Sequence, residues 1–125
     1  YRTGDLAAAR RAAANGLELS AGAQFPYGTG LVHRLLGRIA QAEGSFEAGR
    51  RLLEEAHTPF VSIEAQHEVA CTELALADLA RVEGRGDVSL VHAGRALATF
   101  QRLGVPCYVE RARALMAVVG ERSPS

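Results

Sequence analysis

Lysine is absent from this chain of 125 residues, and all 14 of its basic side chains are arginine. The absence excludes Schiff-base chemistry and the phosphate-binding lysine of a Walker-type loop. We attribute this bias, together with the many alanines and glycines, to a GC-rich bacterial genome. The 14 acidic residues bring the formal net charge to zero, so no global field directs the chain to nucleic acid or to an anionic membrane.

Cysteine is scarce, and long apolar runs are missing. Two thiols, Cys71 and Cys107, do not make a disulfide framework, so we predict unpaired, reduced and buried cysteines in a cytoplasmic protein. No apolar run approaches the ~18 residues of a membrane span, and no signal segment opens the chain. The chain starts at Tyr1, which we expect to be the tail of an earlier element in a longer protein.

Catalytic and metal-binding motifs are missing as well. The sequence has no Gly-x-x-x-x-Gly-Lys loop, no Gly-x-Ser-x-Gly elbow and no His-Glu-x-x-His pair. The glycine-rich residues 27–30 follow Pro26 with no strand before them, so we interpret them as a helix entry and not a phosphate cradle. His67 and Cys71 could share a helix face, but no second close pair completes a four-ligand metal site. We therefore predict no enzyme, no cofactor and no metal.

What the sequence does contain is an internal repeat. Residues 4–11 align with residues 44–51, and residues 36–44 align with residues 76–84 at the same offset. Self-similarity at such a period is typical of stacked helical repeats, in which each unit buries its apolar face against its neighbours.

A third copy of the second half follows only after a shift of five residues. In that alignment Ala48-Gly49-Arg50 matches Ala93-Gly94-Arg95. The shift falls in Gly84-Arg85-Gly86-Asp87, where a longer turn is plausible.

Apolar residues recur at helical spacing within each unit, and no segment alternates with period two. We predict an all-α fold of antiparallel helix pairs stacked as a right-handed solenoid, with helices at 5–20, 27–43, 45–57, 62–83, 87–103 and 106–120. The domain organisation that follows is one repeat domain over 1–122, made of the second helix of a truncated repeat (5–20), repeats 27–57 and 62–103 and a terminal helix (106–120), with a loose tail at 123–125.

Local signals mark the predicted helix ends. The expected N-caps are Ser45, Ser62 and Asp87; the expected terminating glycines are Gly44, Gly84 and Gly104; and the expected breaks are at Pro26, Pro59 and Pro106. Glycine inside a helix costs ~1 kcal/mol against alanine. We therefore expect Gly37, Gly49 and Gly94 to mark close helix packing, with Gly37 against the following helix of its own pair.

The pattern resembles tetratricopeptide (TPR) repeats over nearly the whole chain. The order of residues that carries the resemblance is Leu36-Gly37, Ala40, Gly44, Phe46, Ala48 and Ala56, with a weaker match at Leu76-Ala77, Ala80 and Gly84. The period is longer than the one usual in that family, which indicates long-helix variants. The resemblance implies repeat packing by Leu36, Gly37, Ala40, Gly44, Phe46, Leu76, Ala77, Ala80 and Gly84.

A narrower resemblance covers the last third of the chain. Residues 96–104, 110–115 and 120–122 are similar to the end of the helical sensor region in large ATP-binding LuxR-type bacterial transcription regulators. Very similar repeats form the C-terminal part of bacterial nucleotide cyclases and kinases that carry an ATPase module. Both resemblances imply a regulatory helical arm.

In TPR proteins the first helix of each pair lines a concave groove. The resemblance therefore places six residues in that groove: Arg34, Arg38, Gln41, Leu74, Asp78 and Arg81. Its ligand would be a protein or peptide, or a small inducer, with no direct contact to nucleic acid or membrane. The alternative is that Arg38 and Asp78 neutralise one another between neighbouring helices.

A second arginine set occupies matching places in the three second helices: Arg10, Arg50 and Arg95. The set is either a docking strip for an anionic partner or, in the interpretation that we favour, a solvated outer face with Arg50–Glu54 and Arg51–Glu55 pairs.

The first helix carries Leu6, Leu17 and Leu19 among many alanines, and we expect its partner helix to lie upstream of Tyr1. An uncovered apolar side predicts a homodimer through the truncated end of the stack.

These observations predict an interaction and regulatory module of a larger bacterial signalling protein, a LuxR-type transcription regulator being the preferred parent. A stand-alone TPR adaptor and the sensory arm of a nucleotide cyclase or kinase are the alternatives.

Overall fold

The computed structural model describes the backbone of residues 3–22 and 25–122, and the side chains of residues 7–16 and 25–120. Within these parts the chain forms six helices and no strand, which confirms the all-α prediction. The helices are α1 (Thr3–Gly22), α2 (Pro26–Ala42), α3 (Phe46–Ser62), α4 (Gln66–Val82), α5 (Gly86–Leu103) and α6 (Pro106–Arg122). No described helix combines the length and the apolar character that crossing a membrane requires.

The chain divides into two compact units, residues Tyr1–Ala65 with α1 to α3 and residues Gln66–Ser125 with α4 to α6. Consecutive helices of each unit pack against one another. In the first unit the start of α2 meets the end of α3, where Phe60 lies at Gly30, and the end of α2 meets the start of α3. In the second unit Gln66 bonds Arg102, while Ala77 bonds Ser89. Both pairs are therefore antiparallel.

The helices from α2 onward begin at a constant interval, at positions 26, 46, 66, 86 and 106. Buried positions follow the same register, so that the buried Gly49, Leu53, Ala56 and Phe60 of α3 recur as Ser89, Ala93, Ala96 and Phe100 of α5. The five-residue shift that the sequence alignment introduced is therefore wrong. The match of Ala48-Gly49-Arg50 with Ala93-Gly94-Arg95 rests on three small or basic residues and does not outweigh the register of the buried apolar residues.

The same turn closes α2, α3, α4 and α5. In the first example the amide of Gly44 donates to the carbonyl of Gln41, and the amide of Ser45 donates to the carbonyl of Ala40. This Schellman pattern satisfies carbonyl groups that the helix end leaves unpaired, and it needs one residue with a positive φ. That residue is Gly44 (φ 83°), Glu64 (φ 56°), Gly84 (φ 81°) or Gly104 (φ 71°). The three predicted helix-terminating glycines are confirmed. The turn at Glu64 was not predicted from the sequence.

The two helices of the first unit's central pair approach each other most closely at two glycines. A Cβ added at Gly37 would lie 2.8 Å from Leu53 Cγ and 3.1 Å from the Gly49 carbonyl oxygen. A Cβ added at Gly49 would lie 3.0 Å from the Gly37 carbonyl oxygen. The prediction that Gly37 lies against the next helix of its own pair is confirmed.

The second unit fills the corresponding space differently. Ala77 stands where the first unit has Gly37, and Ala93 stands where it has Leu53. The additional methyl group on α4 is therefore accompanied by a smaller side chain on α5. Ser89 replaces Gly49, and its buried hydroxyl donates to the Ala77 carbonyl oxygen over 2.7 Å. A side-chain hydrogen bond thus joins the helices at the position where the first unit has direct backbone contact.

Gly94 does not take part in this packing. A Cβ at Gly94 would meet nothing within 4 Å. The sequence prediction of close packing at Gly94 is wrong because it depended on the shifted alignment.

Three predicted helix boundaries also require correction. Pro59 lies inside α3 and does not end it, and Ser62 is the last residue of α3. The Ser62 hydroxyl donates to the Pro59 carbonyl oxygen over 2.7 Å, as a helical side chain does, and does not cap the next helix. Arg85 holds the N-cap position of α5, which leaves Asp87 in the first turn. There its carboxylate still complements the positive end of the helix dipole.

We predict that Glu64→Gly stabilises the protein. A non-glycine residue in the left-handed region costs roughly 1–2 kcal/mol, and the greater freedom of glycine in the unfolded chain offsets part of the gain. The free energy of unfolding, measured by urea titration with circular dichroism, should rise by about 0.5–1 kcal/mol. The reverse change at an equivalent turn, Gly84→Glu, should lower it. Equal stability of Glu64→Gly and the parent would contradict the strained turn.

We predict opposite effects of alanine at two helical glycines. Gly37→Ala places a methyl group against Leu53 and should cost on the order of 1–3 kcal/mol, whereas Gly94→Ala should gain about 0.5–1 kcal/mol from helix propensity alone. The same unfolding measurement compares them. The cost of Gly37→Ala should also fall in a Leu53→Ala background, since the clash is with that side chain. A Gly37→Ala variant as stable as Gly94→Ala would refute the close approach.

Candidate functional site

Each unit has a polar link at the middle of its helix pair. In the first unit His33 of α2 faces Glu55 of α3, with 3.2 Å between His33 Nε2 and Glu55 Oε2. In the second unit Glu73 of α4 faces Arg95 of α5, with 4.0 Å between Arg95 and Glu73 Oε1. His33 and Glu73 hold the same place in the register of the helix starts, as do Glu55 and Arg95. The link is therefore retained while the acidic and basic partners exchange helices.

Glu73 is the more buried carboxylate of the two links. Its side chain is 10% exposed, and His92 Nδ1 lies 2.6 Å from its Oε2. Glu55, in contrast, is 60% exposed. Since a carboxylate loses much of its hydration at such burial, the two basic neighbours of Glu73 compensate that loss. The sequence analysis did not consider this cluster, because its residues are far apart in the chain and match no known motif.

The second unit also contains an aromatic cluster where α4, α5 and α6 meet. The His67 ring lies edge-on to Phe100 and Tyr108, at centroid distances of 5.5 and 4.9 Å. Phe100 and Tyr108 stack at 4.9 Å, and the Arg111 guanidinium lies 5.0 Å from the Tyr108 centroid. The cluster packs against buried Ala70 and Ala96, which identifies its main role as core packing.

The predicted His67–Cys71 pair does form, with 3.6 Å between His67 Nε2 and Cys71 Sγ. Among the described side chains, no group of three histidine, cysteine or carboxylate residues is arranged to hold a metal ion. Both cysteines are free thiols, as expected. The expectation that both are buried is wrong, because Cys107 stands exposed in the first turn of α6 and Cys71 is half-buried.

A pocket of 560 Å³ opens in the first unit, where the start of α2 meets the end of α3. Its lining combines apolar rings with hydroxyl groups and the His33–Glu55 link, and consists of Phe25, Pro26, Thr29, His33, Glu55, Thr58, Pro59 and Ser62. The volume lies within the ~300–1,000 Å³ of small-molecule sites. The glycine-rich residues 27–30 form the first turn of α2 beside this pocket, as the predicted helix entry requires.

The predicted groove residues have varied environments. Arg34 is half-buried, with its guanidinium 5.2 Å from the Phe60 centroid, whereas Arg38 is exposed. Gln41 and Leu74 are half-buried. In α4 Arg81 pairs with Asp78 at 2.7 Å, an ion pair within one helix that the sequence analysis did not consider. The placement of the whole set in one groove stays a prediction.

The second arginine set has varied partners, and the predicted Arg51–Glu55 pair does not form. Arg10 pairs with Glu43 of α2, and Arg95 faces Glu73. Arg51 lies 3.8 Å from Glu47, not beside Glu55, which His33 engages. Because Arg95 owed its match with Arg50 to the shifted alignment, the three arginines are not equivalent in the register of the helix starts.

The predicted dimer contact lies outside the described residues. It depends on the side chains of Leu6, Leu17 and Leu19, which are not among those that the structure describes, and residues 123–125 also lie outside.

Comparison with known proteins returns no match, whether the chain is compared with protein-family models, with curated proteins or with solved structures.

We predict unequal effects of neutralising the two cross-helix carboxylates. Glu73→Gln should lower the free energy of unfolding by about 1–2 kcal/mol, because a largely buried charge-assisted hydrogen bond to His92 is lost. Glu55→Gln should change it by less than about 1 kcal/mol, since that pair is solvated. Urea unfolding at neutral pH compares them. Equal losses would show that burial does not distinguish the two links.

Proposed function

We propose that this chain is a TPR-like protein-interaction and regulatory module of a larger bacterial signalling protein. The observation that supports this most strongly is the equal spacing of the helix starts from α2 to α6, with the same turn closing four successive helices. Equal helices joined by equal turns are the basic unit of α-helical repeat proteins, whose extended surfaces bind partners.

The distribution of chemistry in the described residues agrees with a binding module. Of its buried polar side chains, Glu73 and Ser89 make contacts between helices and Thr72 donates to the Glu68 carbonyl oxygen within α4, which are structural roles. The neutral net charge gives no preference for nucleic acid. Function would then reside in surfaces presented by the helix pairs and not in a catalytic group.

The preferred parent is a LuxR-type transcription regulator that acts in the cytoplasm. The residues that support it are those of the C-terminal resemblance, 96–104 and 110–115, which lie in α5 and α6. In this proposal the stacked helix pairs recognise a protein, a peptide or a small inducer in a groove that includes Arg38. Binding there biases the arrangement of a neighbouring effector domain.

The first test is to read the coding sequence on either side of residues 1–125. We expect a helix-turn-helix domain to be encoded after Ser125. A cyclase or kinase domain before Tyr1 would replace the proposal with the sensory arm of an enzyme. Natural chain ends at both sides would replace it with a stand-alone adaptor.

A promoter reporter then tests the role of the module in the parent regulator. Arg38→Glu reverses an exposed charge of the predicted groove and should alter the inducer response without lowering stability. Glu54→Arg, an exposed reversal on the second helix of the same pair, is the control and should leave the response unchanged. Identical responses for both variants and the parent would exclude Arg38 from the regulatory surface.

A further inference from the structure

The pocket at the start of α2 has a lining that favours one class of ligand. Most of its side-chain donors are already used within the protein. His33 Nδ1 lies 3.0 Å from the Thr29 carbonyl oxygen while its Nε2 faces Glu55. The Thr29 hydroxyl donates to the Phe25 carbonyl oxygen, and the Ser62 hydroxyl donates to the Pro59 carbonyl oxygen.

What remains in the pocket are mainly acceptors. The Thr29 and Ser62 hydroxyl oxygens keep lone pairs, and among the described side chains His33 is the one partner of the Glu55 carboxylate, at its Oε2. Because Pro59 has no N–H, the backbone carbonyl group of Glu55, four residues earlier in α3, also lacks its usual helical donor. The Thr58 hydroxyl can donate or accept. Among the side chains of the lining, an anion would meet the Glu55 carboxylate and only the Thr58 hydroxyl as a free donor.

The apolar part of the lining suits a cation that is poorly hydrated. Phe25 lines the pocket and is 54% exposed, with the Tyr27 ring 6.4 Å from it. Aromatic faces attract ammonium groups, most strongly those that carry alkyl substituents and shed water easily. Pro26 and Pro59 supply aliphatic walls. The guanidinium of Arg34, on the same helix, lies over the Phe60 ring, and Arg34 is not among the lining residues.

We propose that this pocket binds a small organic cation, an alkylated ammonium group on a short apolar body. The headgroup lies between the Glu55 carboxylate and the Phe25 ring, and the apolar body contacts Pro26 and Pro59. The proposal depends on the chemistry of the first unit and not on the identity of the parent protein.

Choline and its neutral isostere 3,3-dimethylbutan-1-ol provide a matched pair of probes. Titration of the whole chain, followed by amide chemical shifts, should give saturable changes at Thr29, His33 and Ser62 with choline. The isostere should bind about tenfold more weakly, as expected when one cation–π contact and one partly solvated ion pair are lost. Equal affinity for both probes, or no saturable change below about 50 mM choline, would overturn the proposal.

Two variants separate the contributions of charge and ring. Glu55→Gln should weaken choline binding about fivefold to tenfold, and Glu54→Gln, the adjacent exposed carboxylate, should leave it within about twofold. Phe25→Leu keeps an apolar entrance and should weaken choline binding but not binding of the isostere. Both changes are at exposed residues, and urea unfolding checks that the fold persists. If Glu54→Gln weakened binding as much as Glu55→Gln, the site would be general surface charge and the proposal would fail.

Discussion

The close approach of paired helices is the constraint on which the rest of the structure depends. Gly37 and Gly49 face each other's carbonyl oxygens across α2 and α3, and Ala77 and Ser89 occupy the same positions across α4 and α5. At this separation the two helices of a pair cannot slide along one another without a clash between their backbones. The common register of the polar links and of the buried phenylalanines follows from that geometry.

The two units solve the same packing problem with different residues. Where the first has glycine opposite Leu53, the second has two alanines, so the side chains at these two positions are more equal in size and together smaller. In the first unit the basic residue of the polar link, His33, lies on the first helix of the pair. In the second unit the acidic residue, Glu73, lies there. The positions of the contacts are therefore kept while side-chain size and chemical identity change, which explains why direct residue matching aligns the later copies poorly.

The sequence predicted the fold class, the number of helices and most of their ends. Helical apolar spacing and the glycines at 44, 84 and 104 were sufficient for that. It did not predict the turn at Glu64, because no residue there favours positive φ, or the continuation of α3 through Pro59. Tertiary packing of Phe60, which is fully buried one residue later, keeps the helix intact despite the missing donor. The pocket and the Glu73 cluster depend on side-chain contacts between neighbouring helices, which the periodicity of the sequence does not reveal.

A uniform helix length has an evolutionary consequence. Since the turns recur with every helix from α2 to α5, and the buried positions and polar links recur with every second helix, an in-frame duplication or deletion of one helix pair would join matching turns and preserve each cross-helix partner. Unequal recombination between such copies would change the number of pairs without disturbing those that remain. The exchange of acid and base between the units then shows how far two copies can diverge while each link keeps one acidic and one basic residue. Selection acts on the contact between the two helices of a pair and not on the similarity between one pair and the next.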